Sequence, residues 1–105
     1  MKVLSAHDNT GWITAVIEER WVQAKVYDEP SIFGINDGRV SKLCIGKTDV
    51  CDPSEPFFEQ MDYNYDRGLD FCDLNEDLLN KIVSELEKLP KLFAYENENN
   101  SGMRM

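Results

Sequence analysis

The sequence is poor in the residues on which most small enzymes depend. Its 105 residues include one histidine, His7, so side chains that titrate near neutral pH are almost missing. It also lacks a phosphate-binding glycine-rich loop, a nucleophile elbow and a zinc-protease motif. We therefore predict that the protein is not an enzyme and uses no cofactor. An unrecognised small enzyme is the alternative, because carboxylate pairs such as Asp66 and Asp70 can carry acid–base chemistry.

Long apolar segments and paired cysteines are missing as well. No apolar run approaches the length of a membrane span, and the first residues lack the basic-then-apolar pattern of a signal peptide. The three cysteines, Cys44, Cys51 and Cys72, cannot all pair with one another and are predicted to be reduced thiols. These features predict a cytoplasmic protein. The length of the chain predicts a single domain, placed at residues 1–93 and assigned below to the α+β class. The polar residues at positions 94–105 predict a flexible C-terminal tail.

Basic side chains are nearly absent from the middle of the chain. Residues 49–77, here called the acidic segment, hold ten acidic side chains and one basic one, Arg67. Acidic and basic residues balance elsewhere, so this segment carries the whole net charge of −9. Such a charge repels nucleic acid and anionic membranes and attracts cationic partners. We predict a protein partner with a basic surface, and the alternative is a segment that only keeps the protein soluble.

The residues that are present organise the chain around a hairpin at residues 12–27. Apolar side chains alternate with larger, more polar ones on both sides of Glu19 and Arg20, as expected for two strands with two different faces. With Glu19 and Arg20 at the turn, Ile17 would oppose Val22, and a four-residue loop around a type I turn is favoured over a two-residue primed turn. One face would then carry only small or β-branched residues: Ile13, Ala15, Ile17, Val22, Ala24 and Val26.

The remaining pattern predicts two more strands and a helix. Residues 39–47 form the third strand, and residues 61–71 form the fourth, with aromatic and apolar side chains on one side. Its other side would display an acidic surface made of Asp62, Asp66, Asp70 and Asp73. Asp73 is placed as the N-cap of a helix whose leucine-rich stripe runs from Leu74 to Leu89. The predicted fold is therefore an antiparallel four-stranded meander with one C-terminal helix packed on one face, and residues 2–6 form at most a short edge strand.

Several stretches occur together in a recognisable order: AKVYDEPS at residues 24–31, GRVSKL at residues 38–43 and NYDRGLD at residues 64–70. Over residues 12–86 the chain resembles an uncharacterised family of small bacterial proteins, partly carried on phages and mobile elements and known only as a domain of unknown function. The sequence departs from that family at Leu69, where tryptophan is usual, and in a longer acidic insert. The resemblance implies a layout of sheet and helix, and it implies no active site.

A calcium-binding alternative rests on residues 62–73. Oxygen-bearing side chains fall at five of the ligand positions of an EF-hand loop, an apolar residue falls at the eighth position, and a helix follows. Arg67 occupies the place that needs glycine for the sharp turn, and the last ligand is Asp73 instead of the longer glutamate. The strand interpretation explains the same residues with one rule, so calcium binding is kept as the alternative function.

One face of the predicted sheet has no obvious cover, because the chain supplies one helix for two faces. That face would carry Trp12, Val16, Trp21 and Tyr27. Tryptophan and tyrosine are enriched where proteins meet. We predict a non-catalytic protein-binding module that uses this face and the acidic segment to bind a protein, or that forms a homodimer through the face. In the alternative, residues 32–35 or the loop before the fourth strand fold over it.

Overall fold

A six-stranded antiparallel sheet and one helix make up the part of the chain that the computed structural model describes, residues 1–7 and 10–90. The strands follow one another in chain order across the sheet, each paired with the next. They are β1 (Lys2–His7), β2 (Trp12–Ile17), β3 (Arg20–Val26), β4 (Val40–Gly46), β5 (Met61–Asp66) and β6 (Leu69–Cys72), and the helix is α1 (Glu76–Glu87).

The predicted α+β meander is right in class, but the strand number of four is wrong. One additional strand is β1, which pairs with β2 along its length at the edge of the sheet, although all its residues are exposed. The predicted fourth strand is two strands, because the chain reverses at Arg67, whose φ is +57°. Tyr65 lies opposite Leu69, and a bulge then places Phe71 opposite Asn64. Side-chain alternation continued through this turn, so it could not distinguish one strand from two.

The hairpin of β2 and β3 has the predicted faces but a different register. Ile17 lies opposite Arg20 instead of Val22. Glu18 and Glu19 are the turn residues, with φ values of 52° and 63°. Positive φ at both central residues is the signature of the two-residue type I′ turn, whose twist matches that of the strands. The predicted type I loop is therefore wrong, although a shift of two residues leaves every side chain on its expected face.

The core lies between α1 and one face of the sheet, here called the inner face. Ile82, Val83 and Leu86 project from α1 into a cluster with the small face of the hairpin and with Leu43, Ile45 and Tyr63. The helix begins two residues later than predicted: Asn75 is the N-cap, and its side chain accepts a hydrogen bond from Leu78 N. Asp73 instead extends the β5–β6 pairing, since its N–H donates to Asp62 O.

The predicted tail at residues 94–105 and the end of the predicted domain at residue 93 lie outside the described residues. In the part that is described, no helix is long and apolar enough to cross a membrane.

Candidate functional site

The face of the sheet opposite α1, here called the outer face, is the candidate functional site. Its side chains alternate with those of the core along β2, β3, β4 and β5. Cross-strand pairing arranges these side chains in rows that run across the sheet. Three groups can be distinguished: a basic and aromatic group at one end, a polar row in the middle and an aromatic cluster at the other end.

The first group, here called the quartet, consists of Trp12, Lys25, Tyr27 and Lys42. Trp12 lies opposite Lys25, which lies opposite Lys42 on the next strand. The Lys25 ammonium is 5.9 Å from the ring centroid of Trp12 and 5.3 Å from that of Tyr27, and the Lys42 ammonium is 5.8 Å from the Trp12 centroid. Both lysines are thus within cation–π range of an aromatic ring.

The two lysines of the quartet have different charge environments. Lys42 forms an ion pair with Asp66 at 3.6 Å. Among the described residues, Lys25 has no carboxylate within ion-pair distance. Like charges directly opposite each other on neighbouring strands repel. The quartet is therefore a local concentration of positive charge on a protein whose net charge is −9.

The polar row crosses the middle of the outer face. The amide of Gln23 donates to Thr14 Oγ1 at 3.5 Å, the Cys44 thiol donates to Asn64 Oδ1 at 3.0 Å, and the Asn64 amide donates to Asp70 Oδ2 at 2.6 Å. Burial, followed by the charge of Asp66, raises the pKa of the Cys44 thiol to about 11. This thiol is therefore protonated at neutral pH and is a poor nucleophile.

The aromatic cluster lies at the far end of the face and includes residues from the loop at 47–60. Phe57 meets Trp21 edge to face with centroids 5.8 Å apart, Phe58 meets Phe57 at 5.1 Å, and Phe71 meets Phe58 at 6.4 Å. The loop is fixed by its backbone, since Trp21 N donates to Thr48 O and Lys47 N donates to Gln60 O. Phe58 remains 57% exposed and Phe71 36% exposed, so the cluster is open to solvent.

The structure brings the four predicted interface residues onto one face but divides them between its ends. Trp12 and Tyr27 belong to the quartet, whereas Val16 and Trp21 lie opposite each other beside the aromatic cluster. The alternative in which a loop covers the face holds at the Trp21 end. Residues 32–35 do not supply that cover, because the Phe33 carbonyl instead accepts a hydrogen bond from Tyr65.

Sequence reasoning missed the phenylalanines of the outer face. Phe57 and Phe58 precede the predicted fourth strand, and the pattern predicts no role for them. Alternation places Phe71 with the apolar and aromatic side chains of that single strand. The neighbouring pair Phe57 and Phe58, between prolines and a strand, was the available signal. The lysines of the quartet, Lys25 and Lys42, were also overlooked because lysine on an outer strand face is ordinarily solvated.

The predicted acidic surface is only partly open. Arg20 Nη1 lies 2.7 Å from one oxygen of Asp62, and Lys47 Nζ lies 2.9 Å from the other. Burial opposes ionisation of Asp62, but hydrogen bonds from Lys47 and Arg20 outweigh it and hold the pKa below its ordinary value. Asp66 pairs with Lys42 and Arg67, and Asp70 accepts from Asn64. Asp73 remains exposed.

The segment of the calcium hypothesis forms the β5–β6 hairpin instead of a helix-flanked loop. Its residues are divided between two strands and the turn at Arg67. Nowhere in residues 1–7 and 10–90 do three or more histidine, cysteine or acidic side chains form a group that could hold a metal ion. Calcium binding stays an untested prediction. The three cysteines are free thiols, as predicted.

Comparison with known proteins gives one positive finding. The model of a protein family described as a domain of unknown function, DUF7678, matches residues 11–87, which span β2 to α1. No curated protein and no solved structure matches the chain significantly. These comparisons therefore transfer no role to the outer face.

Proposed function

The chain belongs to the DUF7678 family, and since that family has no assigned function we propose from the geometry that it is a non-catalytic protein-binding module. The outer face of its sheet is the binding surface. One observation carries this proposal: α1 covers the inner face, whereas within residues 1–7 and 10–90 the outer face is covered only at its Trp21 end, by the loop at residues 47–60 that carries Phe57.

The composition of the outer face supports protein binding over simple exposure to solvent. It displays Trp12, Tyr27, Phe58 and Phe71 within one sheet surface, with Tyr27 41% exposed. Aromatic side chains supply much of the binding energy in protein interfaces because they bury a large area at a small cost in conformational entropy. A second aromatic or apolar surface would dock against both ends and enclose the polar row.

The acidic segment supports a partner with a basic region, and its exposed carboxylates indicate where that region would bind. Asp62 and Asp66 are already paired with cations of this chain. The exposed carboxylates beside the aromatic cluster belong to the loop: Asp49, Asp52, Glu55 and Glu59. A basic region of the partner would therefore face this loop.

The finer parts of the proposal concern the setting of the protein. The cytoplasm is the proposed compartment, supported by the absence of an apolar run of membrane-spanning length from the sequence. The resemblance noted in the sequence supports a bacterial or mobile-element origin. In such a setting the partner is either a protein of the host or a second copy of this chain.

Substitution of exposed rings on the outer face tests the proposal. We expect Trp12→Ser and Phe71→Ser to abolish self-association in sedimentation velocity, or to abolish capture of a partner by the purified protein. Ile32→Ser is the matched control, because Ile32 is an exposed apolar residue in the segment 32–35, away from the outer face and its loop. A monomeric wild type whose captured proteins are identical to those of both outer-face variants would contradict the proposal.

A further inference from the structure

We propose that the quartet of Trp12, Lys25, Tyr27 and Lys42 recognises a carboxylate-bearing segment of a protein partner. The inference rests on the proposed function and adds the chemistry of the partner at one end of the outer face. The segment would place an acidic side chain, or its terminal carboxylate, between the two ammonium groups and an apolar side chain against the rings.

The charge arrangement favours an anion at this place. Lys25 and Lys42 are a directly opposed pair on β3 and β4, and their ammonium groups lie 5.9 and 5.8 Å from the ring centroid of Trp12. Like charges on directly opposed residues repel each other. Asp66 lies on the far side of Lys42 and leaves Lys25 without a carboxylate among the described residues. One incoming carboxylate between the ammonium groups would interact favourably with both.

The aromatic rings make the same place selective for a segment with apolar character. The Lys25 ammonium lies 5.9 Å from the ring centroid of Trp12 and 5.3 Å from that of Tyr27. Tyr27 is 41% exposed and Trp12 is half-buried. A peptide on this surface would exclude water from the lysines, and a drier environment strengthens both the cation–π contacts and the ion pairs with a carboxylate.

A peptide fits these observations better than a nucleic acid does. Aromatic rings with lysines also occur where single-stranded nucleic acid binds. Two lysines neutralise only two phosphates, however, and one of them is already paired with Asp66. The other phosphates of an oligonucleotide would lie in the field of a protein with net charge −9.

The test uses three defined probes against the full-length protein. They are a short phenylalanine-containing peptide with one glutamate, the same peptide with lysine in place of glutamate, and an oligothymidylate of similar length. A Trp21→Phe background leaves Trp12 as the only tryptophan, since the chain has two. Fluorescence of Trp12 then reports binding at the quartet. We expect the acidic peptide to bind at least about tenfold more tightly than the other two probes.

Charge reversal provides the matched variants. We expect Lys25→Glu and Lys42→Glu to weaken binding of the acidic peptide about tenfold or more. Lys81→Glu and Lys88→Glu are controls with the same change of charge on exposed positions of α1 and its C-terminal end. They should change the affinity less than twofold, or about 0.4 kcal/mol. The thermal midpoint of Lys25→Glu should not fall, because the new glutamate lies opposite Lys42.

The following results would each overturn the inference. Tighter binding of the lysine peptide would assign a basic partner to the quartet, and tighter binding of the oligothymidylate would assign a nucleic acid. Equal losses of affinity in Lys25→Glu and Lys81→Glu would show that binding depends on the overall charge of the protein and not on the quartet. Failure of the acidic peptide to bind, with partner capture still dependent on Phe71, would refute this inference and leave the proposed function standing.

Discussion

Arg39 and Glu87 each bind the backbone that carries the other. The Glu87 carboxylate accepts hydrogen bonds from Arg39 N at 2.8 Å and Val40 N at 3.3 Å, where β4 begins. The Arg39 guanidinium donates to Glu87 O at 2.9 Å and Leu89 O at 2.7 Å, where α1 ends. A Cβ at Gly38 would meet the same carboxylate, so a larger residue there would require Glu87 to shift. The two residues join the C-terminal end of the helix to the sheet.

Substitution of either residue is expected to destabilise the fold. Arg39→Ala removes charge-assisted hydrogen bonds to two carbonyls at the end of α1, and Glu87→Ala removes the acceptor of two backbone N–H groups. We expect each to lower the free energy of unfolding by about 2 kcal/mol in urea denaturation. Glu87→Gln keeps an acceptor oxygen and should cost less. Losses below about 0.5 kcal/mol for both alanine variants would show that these contacts do not stabilise the protein.

The β2–β3 turn is expected to gain stability from residues suited to positive φ. Glu18 and Glu19 have φ values of 52° and 63°, a conformation that costs a residue with a side chain about 1 kcal/mol. Glu18→Asn together with Glu19→Gly supplies the preferred pair of a type I′ turn. We expect the thermal midpoint to rise by several degrees. Glu59→Gly, outside any positive-φ position, should not raise it, and a lower midpoint in the turn variant would contradict the assigned turn.

Asp62 should link stability to acid pH. Its pKa is held below 3.8 in the folded protein by Lys47 and Arg20, against the effect of burial. A carboxyl group with a depressed folded pKa contributes stability above its unfolded pKa and loses it as the pH falls through the folded pKa. We expect Asp62→Asn to be less stable than wild type at pH 7 in urea denaturation, with the difference shrinking below about pH 4. A difference that is the same at pH 7 and pH 3 would exclude this linkage.

Cys44 should make the stability of the protein depend on pH in the alkaline range. Burial and the charge of Asp66 raise its pKa to about 11 from the ordinary value of 9.0. A raised folded pKa means that its stabilising contribution is present below pH 9 and is lost as the pH rises toward 11. Wild type should therefore lose more stability than Cys44→Ala over this interval.

Thiol labelling provides an independent measurement of the same environment. With a maleimide at pH 7, the exposed Cys72 should react well before Cys44. Labelling of Cys44 at the rate of Cys72 would show that its thiol is not protected.

Periodicity predicted the two-faced character of the hairpin and the stripe of α1. Ile13 and Val22 are buried, and Ile82 and Leu86 pack in the same core. These features follow from one physical requirement, since apolar side chains that repeat with the period of an element must share a face and leave water. The same rule placed Trp12 and Trp21 on the opposite face, where the structure has them.

Turns and registers could not be predicted in the same way. The chain reverses at Arg67 and at the pair Glu18 and Glu19, none of which is a preferred residue for positive φ. Contacts that are distant in sequence override that local preference. Beside the first of these turns, Arg67 N donates to Ser41 O. Beside the second, Arg20 Nη1 donates to Asp62 Oδ2.

The candidate site shows the same division between local pattern and distant contact. Alternation identified Trp12 and Tyr27 correctly as outer residues. It could not show that Phe57 returns from a loop to contact Trp21. It also could not show that Lys25 and Lys42 become neighbours, because their pairing depends on the length and path of the connection between β3 and β4.

The alternation of inner and outer side chains has an evolutionary consequence. Thr14 and Gln23 meet each other across the sheet and belong to the face that α1 does not cover. Substitutions at such positions therefore need not disturb the packed interior, even though each residue is next to a core residue in the sequence. Substitution of every second residue in these strands would therefore change the outer face and leave the packed interior in place.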